Sequence, residues 1–282
     1  MYDLNGKVAV VTGAGSGIGR ALAQGFAAKG CRLALADINE ANLSETAAGL
    51  KTEVLTQKLD VADRAAVYAF AAAVKQKFGT AHVVVNNAGV AVSQTIDELK
   101  YEDFEWLMGI NFWGVVYGTK AFLPMLTAQN EGAIVNISSV FGIIAVPAQG
   151  AYNAAKFAVR GFTECLRHEL AEAKSNVKSI CVHPGGIKTN IVRHARVFKS
   201  FDGQTDKNIM AAQFEQGART TPEQAAATII NGVEKQNARV LIGGDARMID
   251  WIQRLMPVRY WSVLGAIMRW MLMRQVKTPI KT

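Results

Sequence analysis

The chain has 282 residues, half of them apolar and 19% charged, which suits one large globular domain, alone or with an appendage, and excludes a low-complexity or disordered polymer. Its 31 basic and 23 acidic residues give a net charge of +8, unevenly spread. From Ala246 onward seven basic residues (Arg247, Arg254, Arg259, Arg269, Arg274, Lys277, Lys281) accompany one acid, Asp250, so this tail carries +6 and leaves +2 for everything before it. A nearly neutral body argues against a nucleic-acid-binding face there.

Cys31, Cys165 and Cys181 form no Cys-x-x-Cys pair and fall in apolar patterns, so buried, reduced thiols of a cytoplasmic protein are expected. His82, His168, His183 and His194 lack the spacing of metal ligands, and no metal is expected. The opening MYDLNGKVAVV enters a strand directly, without the basic–apolar–cleavage pattern of a signal peptide.

Residues 7–12 (KVAVVT) read as a first strand that closes on a glycine cluster, with helical spacing from Ile18 to Lys29. The glycines fall as Gly-x-x-x-Gly-x-Gly (Gly13, Gly17, Gly19), not in the commoner Gly-x-Gly-x-x-Gly dinucleotide pattern. The physics carries over, because glycines let the backbone turn tightly and approach a pyrophosphate at a helix N-terminus. A plain tight turn also accounts for them. Residues 32–37 (RLALAD) form a second strand ending on Asp37, where a carboxylate accepts hydrogen bonds from an adenosine ribose diol and repels a 2′-phosphate. Ser16 and Ile38 are not basic and Arg20 is the one nearby cation, a pattern that favours NAD(H) over NADP(H).

A third strand at 53–59 leads into Asp60-Val61, and Asp63 reads as the N-cap of an alanine-rich helix running to Phe78. Asp60 alone fits a turn aspartate equally well. The fourth strand, 82–86, ends on Asn86-Asn87-Ala88-Gly89, at the strand end where ligands gather in open α/β sheets. One long helix carrying Asn111 is expected over 101–126. The fifth strand, 132–137, precedes Ser138-Ser139, and a helix over 151–173 follows. On it Tyr152 and Lys156, four residues apart, share a face. A close ammonium favours the phenolate, pulling the tyrosine from about 10 toward working pH, where it suits proton exchange with an alcohol/ketone pair. Ser139 adds a hydroxyl if the intervening loop folds back. A sixth strand, 177–182, ends in His183-Pro184-Gly185-Gly186-Ile187-Lys188-Thr189. The polar, irregular segment 190–219 reads as a substrate lid. Thr221-Pro222-Glu223-Gln224 starts a capped helix, and 239–242 is a last strand. Alternating strands and helices imply an α/β fold with a parallel sheet and right-handed crossovers.

The glycine cluster, Asn86-Asn87-Ala88-Gly89, Asn111, Ser139 and Tyr152-x-x-x-Lys156 occur in the order seen in the short-chain dehydrogenase/reductase family, which the sequence resembles over about residues 5–245. The resemblance implies a Rossmann-type doubly wound parallel sheet of about seven strands, order 3-2-1-4-5-6-7, in a single NAD(P)-binding catalytic domain over 1–245. It implies that Tyr152 transfers the proton and Ser139 orients the substrate oxygen. Lys156 lowers the tyrosine pKa and bonds the nicotinamide ribose, while Asn111 holds a water chain from the lysine to solvent. Cofactor contacts are implied at Gly13, Ser16, Gly17, Ile18, Gly19, Asp37, Asp60, Val61, Asn87, Ala88, Gly89, Tyr152 and Lys156. Pro184, Gly185, Ile187 and Thr189 complete the set by closing on the nicotinamide.

The implied reaction is hydride transfer between NAD(H) and a secondary alcohol or ketone. The apolar loop 140–147 (VFGIIAVP) favours a hydrophobic, lipid- or steroid-like substrate. A homo-oligomer, dimer or tetramer, is expected on the helices 101–126 and 151–173. Their Phe104, Trp106, Phe112, Trp113, Phe157 and Phe162 exceed what one core face needs. The alternatives are a 3-oxoacyl reductase of carrier-bound acyl chains and a dinucleotide-binding sensor or scaffold without turnover. A sensor has no need of the full set Asn111, Ser139, Tyr152 and Lys156.

Residues 246–282 lie outside the resemblance and read as a basic amphipathic helical extension. Pro257 divides 248–273 into two helical pieces. On the first, Arg247, Asp250 and Arg254 share one face and Met248, Trp251, Ile252 and Leu255 the other. On the second, Ser262, Gly265 and Arg269 make a narrow polar stripe in an apolar surface bearing Trp261 and Trp270. The longest uncharged run, 260–268, is nine residues, well short of the ~20 that span a bilayer. Such a tail can pack on its own domain or a neighbouring subunit, cover the active site, or make peripheral contact with a membrane through 248–273.

Overall fold

Seven apolar runs pair in parallel in a computed structural model that describes residues 1–189, 191, 195–197 and 217–267. Numbered along the chain they are β1 (Val8–Thr12), β2 (Arg32–Asp37), β3 (Val54–Lys58), β4 (Val83–Asn86), β5 (Ala133–Ile137), β6 (Lys178–Pro184) and β7 (Arg239–Ile242), in the order β3-β2-β1-β4-β5-β6-β7. The central strands are apolar on both faces because both are covered, whereas the edge strand β3 is half polar and only partly buried. Ala9, Val11, Val83, Val85 and Val135 point into one core, and Val8, Val10, Val84 and Ile134 into the other. Helices α1 (Gly17–Ala28), α2 (Glu40–Ala48) and α7 (Pro222–Glu234) close the first core. Helices α3 (Arg64–Phe78), α5 (Gly114–Gln129) and α6 (Gly150–Glu172) close the second. The expected doubly wound sheet and its strand order are those observed.

One element departs from expectation. The helix expected over 101–126 is α4 (Tyr101–Met108), a π-helical turn (Gly109–Trp113) and then α5. The wide turn surrounds Asn111, whose side chain leaves the helix to bond both backbone groups of Val90, its N–H and its carbonyl each at 2.8 Å. A second correction concerns Cys165, which is exposed on α6, whereas Cys31 and Cys181 are buried as expected.

After Pro257 a second helical stretch covers 260–267, following α8 (Gly244–Leu255), so the division of the extension at this proline is present. Most of the expected lid over 190–219, and residues 268–282 with Arg269 and Trp270, lie outside the described residues. The lid's described part pairs Arg196–Val197 with Val92–Ser93, and Arg196 bonds the buried carboxylate of Asp103 at 2.7 Å.

The start of α7 has the expected reciprocal cap, with Thr221 Oγ accepting from Gln224 N–H at 3.3 Å and the Gln224 side chain accepting from Thr221 N–H at 3.0 Å. Thr221→Ala removes half of this arrangement. We expect a loss of about 1 kcal/mol, read as a lower urea midpoint with an unchanged slope.

Candidate active site

The carboxyl ends of β1, β4, β5 and β6 open on one edge of the sheet, and each delivers part of the predicted set: Gly13, Asn87, Ser139 and Pro184 respectively. Ser139 follows β5 in extended conformation, its Oγ accepting from Phe141 N–H at 3.1 Å and so holding the next turn in place. The loop folds back as required, bringing Ser139 close enough to the Tyr152 hydroxyl to lower its pKa. Phe141 packs edge-on against the Tyr152 ring at 6.0 Å. Ser138 points away and donates to the Lys156 carbonyl at 2.8 Å.

Lys156 is buried one turn along α6, its Nζ 5.5 Å from the centre of the Tyr152 ring and donating to Ile137 O at 2.9 Å. Burial lowers the lysine to about 8 and pushes the tyrosine up to about 12, the nearby Ser139 drawing it partly back. The expected lowering of Tyr152 by Lys156 is therefore not what this arrangement gives. The amine sits over the ring and is spent on a carbonyl, and desolvation of the phenol outweighs it.

Gly89 approaches the same amine from β4. A Cβ there would lie 3.7 Å from Lys156 Nζ and 3.3 Å from Asn111 Oδ1, so a side chain would fill the space between them. Asn111 is fully buried and its amide is committed to Val90. It fixes the strand-end segment beside the lysine.

On the dinucleotide side, Gly13 and Gly17 have φ of +66° and +50° and turn the chain into α1. A Cβ at Gly13 would meet Ala88 Cα at 2.9 Å, so the two loops touch backbone to backbone. Ser16 caps α1 in extended conformation with no side-chain hydrogen bond to the helix, and the first turn, with Ile18 and Gly19, holds no acid. Its N–H groups suit an anionic ligand. Asp37 accepts Gly15 N–H on one oxygen and Asn39 N–H on the other, each at 2.8 Å, which fixes the carboxylate beside the loop with lone pairs to spare for a diol. Arg20 is held by Glu45 (2.9 Å) and by Gly15 O (2.7 Å). These features fit a pyrophosphate-linked dinucleotide.

Asn87 clamps the loop through Thr12 O at 2.9 Å, and Val61 packs on Gly114. Asp60 is exposed and closes its own turn by accepting from Ala62 N–H at 2.9 Å, which makes its turn role visible. Thr189 stands over Gly17, within 3.3 Å of where a Cβ would be, so the segment after β6 reaches the glycine loop. Ile187 is buried and bridges to Thr220.

Three contributors escaped the sequence reading. The Thr12 hydroxyl accepts from Asn87 N–H at 3.0 Å and Ala88 N–H at 3.2 Å, joining two strand ends. Asp245, in the first turn of α8, accepts from Gly186 N–H at 2.7 Å, and its carboxylate fills the space a Gly185 side chain would need. Tyr260 accepts from Ala145 N–H at 3.0 Å, tying the extension to the loop beside Tyr152. Thr12 ends the motif as a strand-terminal threonine and was findable. Asp245 and Tyr260 have no local signal. Among the described residues no cluster of His, Cys, Asp and Glu could hold a metal.

Behind the site, His183 is fully buried with Nδ1 2.9 Å from Ser139 O, and burial lowers it to about 4. Its folded value lies below its unfolded one, so the unfolded chain binds more protons in between. The contribution of a neutral His183 to stability is complete above about 6.5 and is lost as pH falls toward 4. Urea midpoints measured from pH 7.5 to 4.5 should fall less steeply for His183→Gln than for the wild type.

A family profile described as short chain dehydrogenase matches residues 7–199. SadH of Mycobacterium tuberculosis, an oxidoreductase by name, is 50% identical over 269 residues, covering 94% of this chain and 96% of its own. Human estradiol 17-beta-dehydrogenase 11 is 31% identical over 266 residues, covering 93% of this chain and 83% of its own. Among solved structures, a short chain dehydrogenase/reductase from Burkholderia phymatum in complex with NAD superposes with a TM-score of 0.83 at 31% identity, over 91% of this chain and 95% of that one. With these matches, and the sheet and loops described above, the chain belongs to the short-chain dehydrogenase/reductase family of NAD(P)-dependent oxidoreductases.

Proposed function

We propose that this enzyme interconverts an apolar secondary alcohol and its ketone with NAD(H) as the preferred cofactor. The observation that carries the reading is the convergence of Ser139, Tyr152 and Lys156 at the carboxyl edge of the sheet. A nicotinamide dinucleotide, when bound, supplies the hydride donor or acceptor. In the reductive direction Tyr152 gives its phenolic proton to the carbonyl oxygen as that oxygen gains charge, and Ser139 donates a hydrogen bond to the same atom. Lys156, one turn along α6, would hydrogen-bond the nicotinamide ribose, and Asn111 keeps the neighbouring strand end in register. In the oxidative direction Tyr152 takes the hydroxyl proton back. Roles as cofactor contacts for Gly13, Ser16, Gly17, Ile18, Gly19, Asp37, Asp60, Val61, Asn87, Ala88, Gly89, Pro184, Gly185, Ile187 and Thr189 belong to the same proposal.

The preference for NAD(H) is supported by Asp37 facing the glycine loop and by Arg20 being occupied with Glu45. The apolar substrate is supported by Phe141, whose ring packs edge-on against Tyr152, and by the steroid in the name of the human relative. Assembly into a homo-oligomer through the helical stretch over 101–126 and α6 is supported by Trp113 at the end of the π-helical turn and Phe157 on α6, which stay 48% and 42% exposed, whereas Phe104 and Trp106 pack inward.

NADH formation across a panel of secondary alcohols tests the reading. Tyr152→Phe keeps the ring and should lower turnover by about 10²- to 10⁴-fold with NAD affinity retained. Near-normal turnover in that variant would remove Tyr152 from its role. Asp37→Ala should weaken NAD and improve NADP, and a wild type with the higher kcat/KM on NADP would reverse the cofactor assignment.

A further inference from the structure

The extension buries its one acid and leaves several large apolar residues outside. On α8, Ala246, Ile249 and Ile252 face the protein, the two isoleucines packing with Ile143, Ile144, Val146 and Leu264. Asp250 is buried between Arg239 at 2.7 Å and Arg254 at 2.9 Å. It therefore leaves the expected polar face and joins the inner one. The outer face is left with Met248 at 44% exposure, Trp251 at 65% and Leu255 at 73%, spaced three and four apart as one helical stripe. Val258, in the turn beyond the proline, is 89% exposed as well. Exposed Arg247, Arg254 and Arg259 flank the stripe.

We propose that this face docks on an anionic lipid surface. Tryptophan with aliphatic side chains on one stripe, bordered by arginines, matches an interface that is apolar inside and negatively charged at its headgroups. A second copy of the chain is a poorer match. Twofold apposition would set the arginines against one another, and the one acid between residues 246 and 267 is already neutralised inside. No helix among the described residues is long and apolar enough to cross a membrane, so the contact is peripheral. The inner side of the same helix packs on the loop that carries Phe141, whose ring lies 6.0 Å from that of Tyr152, so docking there brings the site close to the lipid.

Co-sedimentation of the full chain with phosphatidylglycerol/phosphatidylcholine vesicles tests the proposal, and binding is read without turnover, so it stands or falls apart from the catalytic reading. The wild type should bind at low salt, more weakly as salt rises, and at least about tenfold more weakly to pure phosphatidylcholine. Trp251→Ser with Leu255→Ser keeps every charge and should weaken binding at least about tenfold, with NAD binding unchanged. Arg247→Glu with Arg259→Glu should do the same. Absence of wild-type binding to anionic vesicles overturns the proposal. Binding that survives the serine pair but not the glutamate pair shows a general polyanion contact and overturns it too. A serine pair that converts an oligomer to a monomer makes the face a contact between copies and also overturns it.

Discussion

Lys156 is buried beneath the tyrosine ring with the Ile137 carbonyl as partner to its amine, and the surrounding site is shaped by that burial. An ammonium taken out of water costs several kcal/mol unless it is well partnered, and here the cost is visible as a lysine lowered to about 8. The absence of a side chain at Gly89 leaves space beside the amine, and Asn111 fixes the neighbouring Val90. Burial also keeps Tyr152 protonated at rest. Tyr152 and Lys156 are thus shifted in opposite directions by one cause, desolvation, and not by their attraction for each other.

What could be read without coordinates was local. Strand–glycine–helix at 8–28, the acid closing β2, the alternation that orders the sheet and the cap at Thr221 each rest on neighbours a few residues apart. Tyr152 and Lys156 share a face because both sit on one helix. The departures all come from distant partners. Asn111 bends its helix toward Val90, 21 residues earlier in the chain, and no periodicity within 101–126 could show it. Arg20 is silenced by Glu45, 25 residues on. The tyrosine's raised pKa depends on how much protein closes over it, and Cys165 is exposed because its part of α6 faces away from the sheet.

The extension belongs to the same account. Asp245 holds the backbone of Gly186 and Tyr260 that of Ala145, so the two loops that follow β5 and β6 are both braced by residues beyond β7. Residues 244–267 therefore brace the loops that follow β5 and β6, although the sequence there gives no sign of the sheet-edge motifs. Their composition read as amphipathic, but which face was inside depended on Arg239 of β7 capturing Asp250.

The central claim is that the Tyr152 site performs hydride transfer on a secondary alcohol and does not merely bind a dinucleotide. The most direct measurement follows the label from an apolar secondary alcohol deuterated at its carbinol carbon, incubated with NAD⁺ and the full chain. The account predicts one deuterium in each reduced nicotinamide formed and one ketone per reduced cofactor. Tight binding of NAD⁺ with neither ketone nor labelled NADH across a broad alcohol panel would contradict it and leave a dinucleotide-binding protein without turnover.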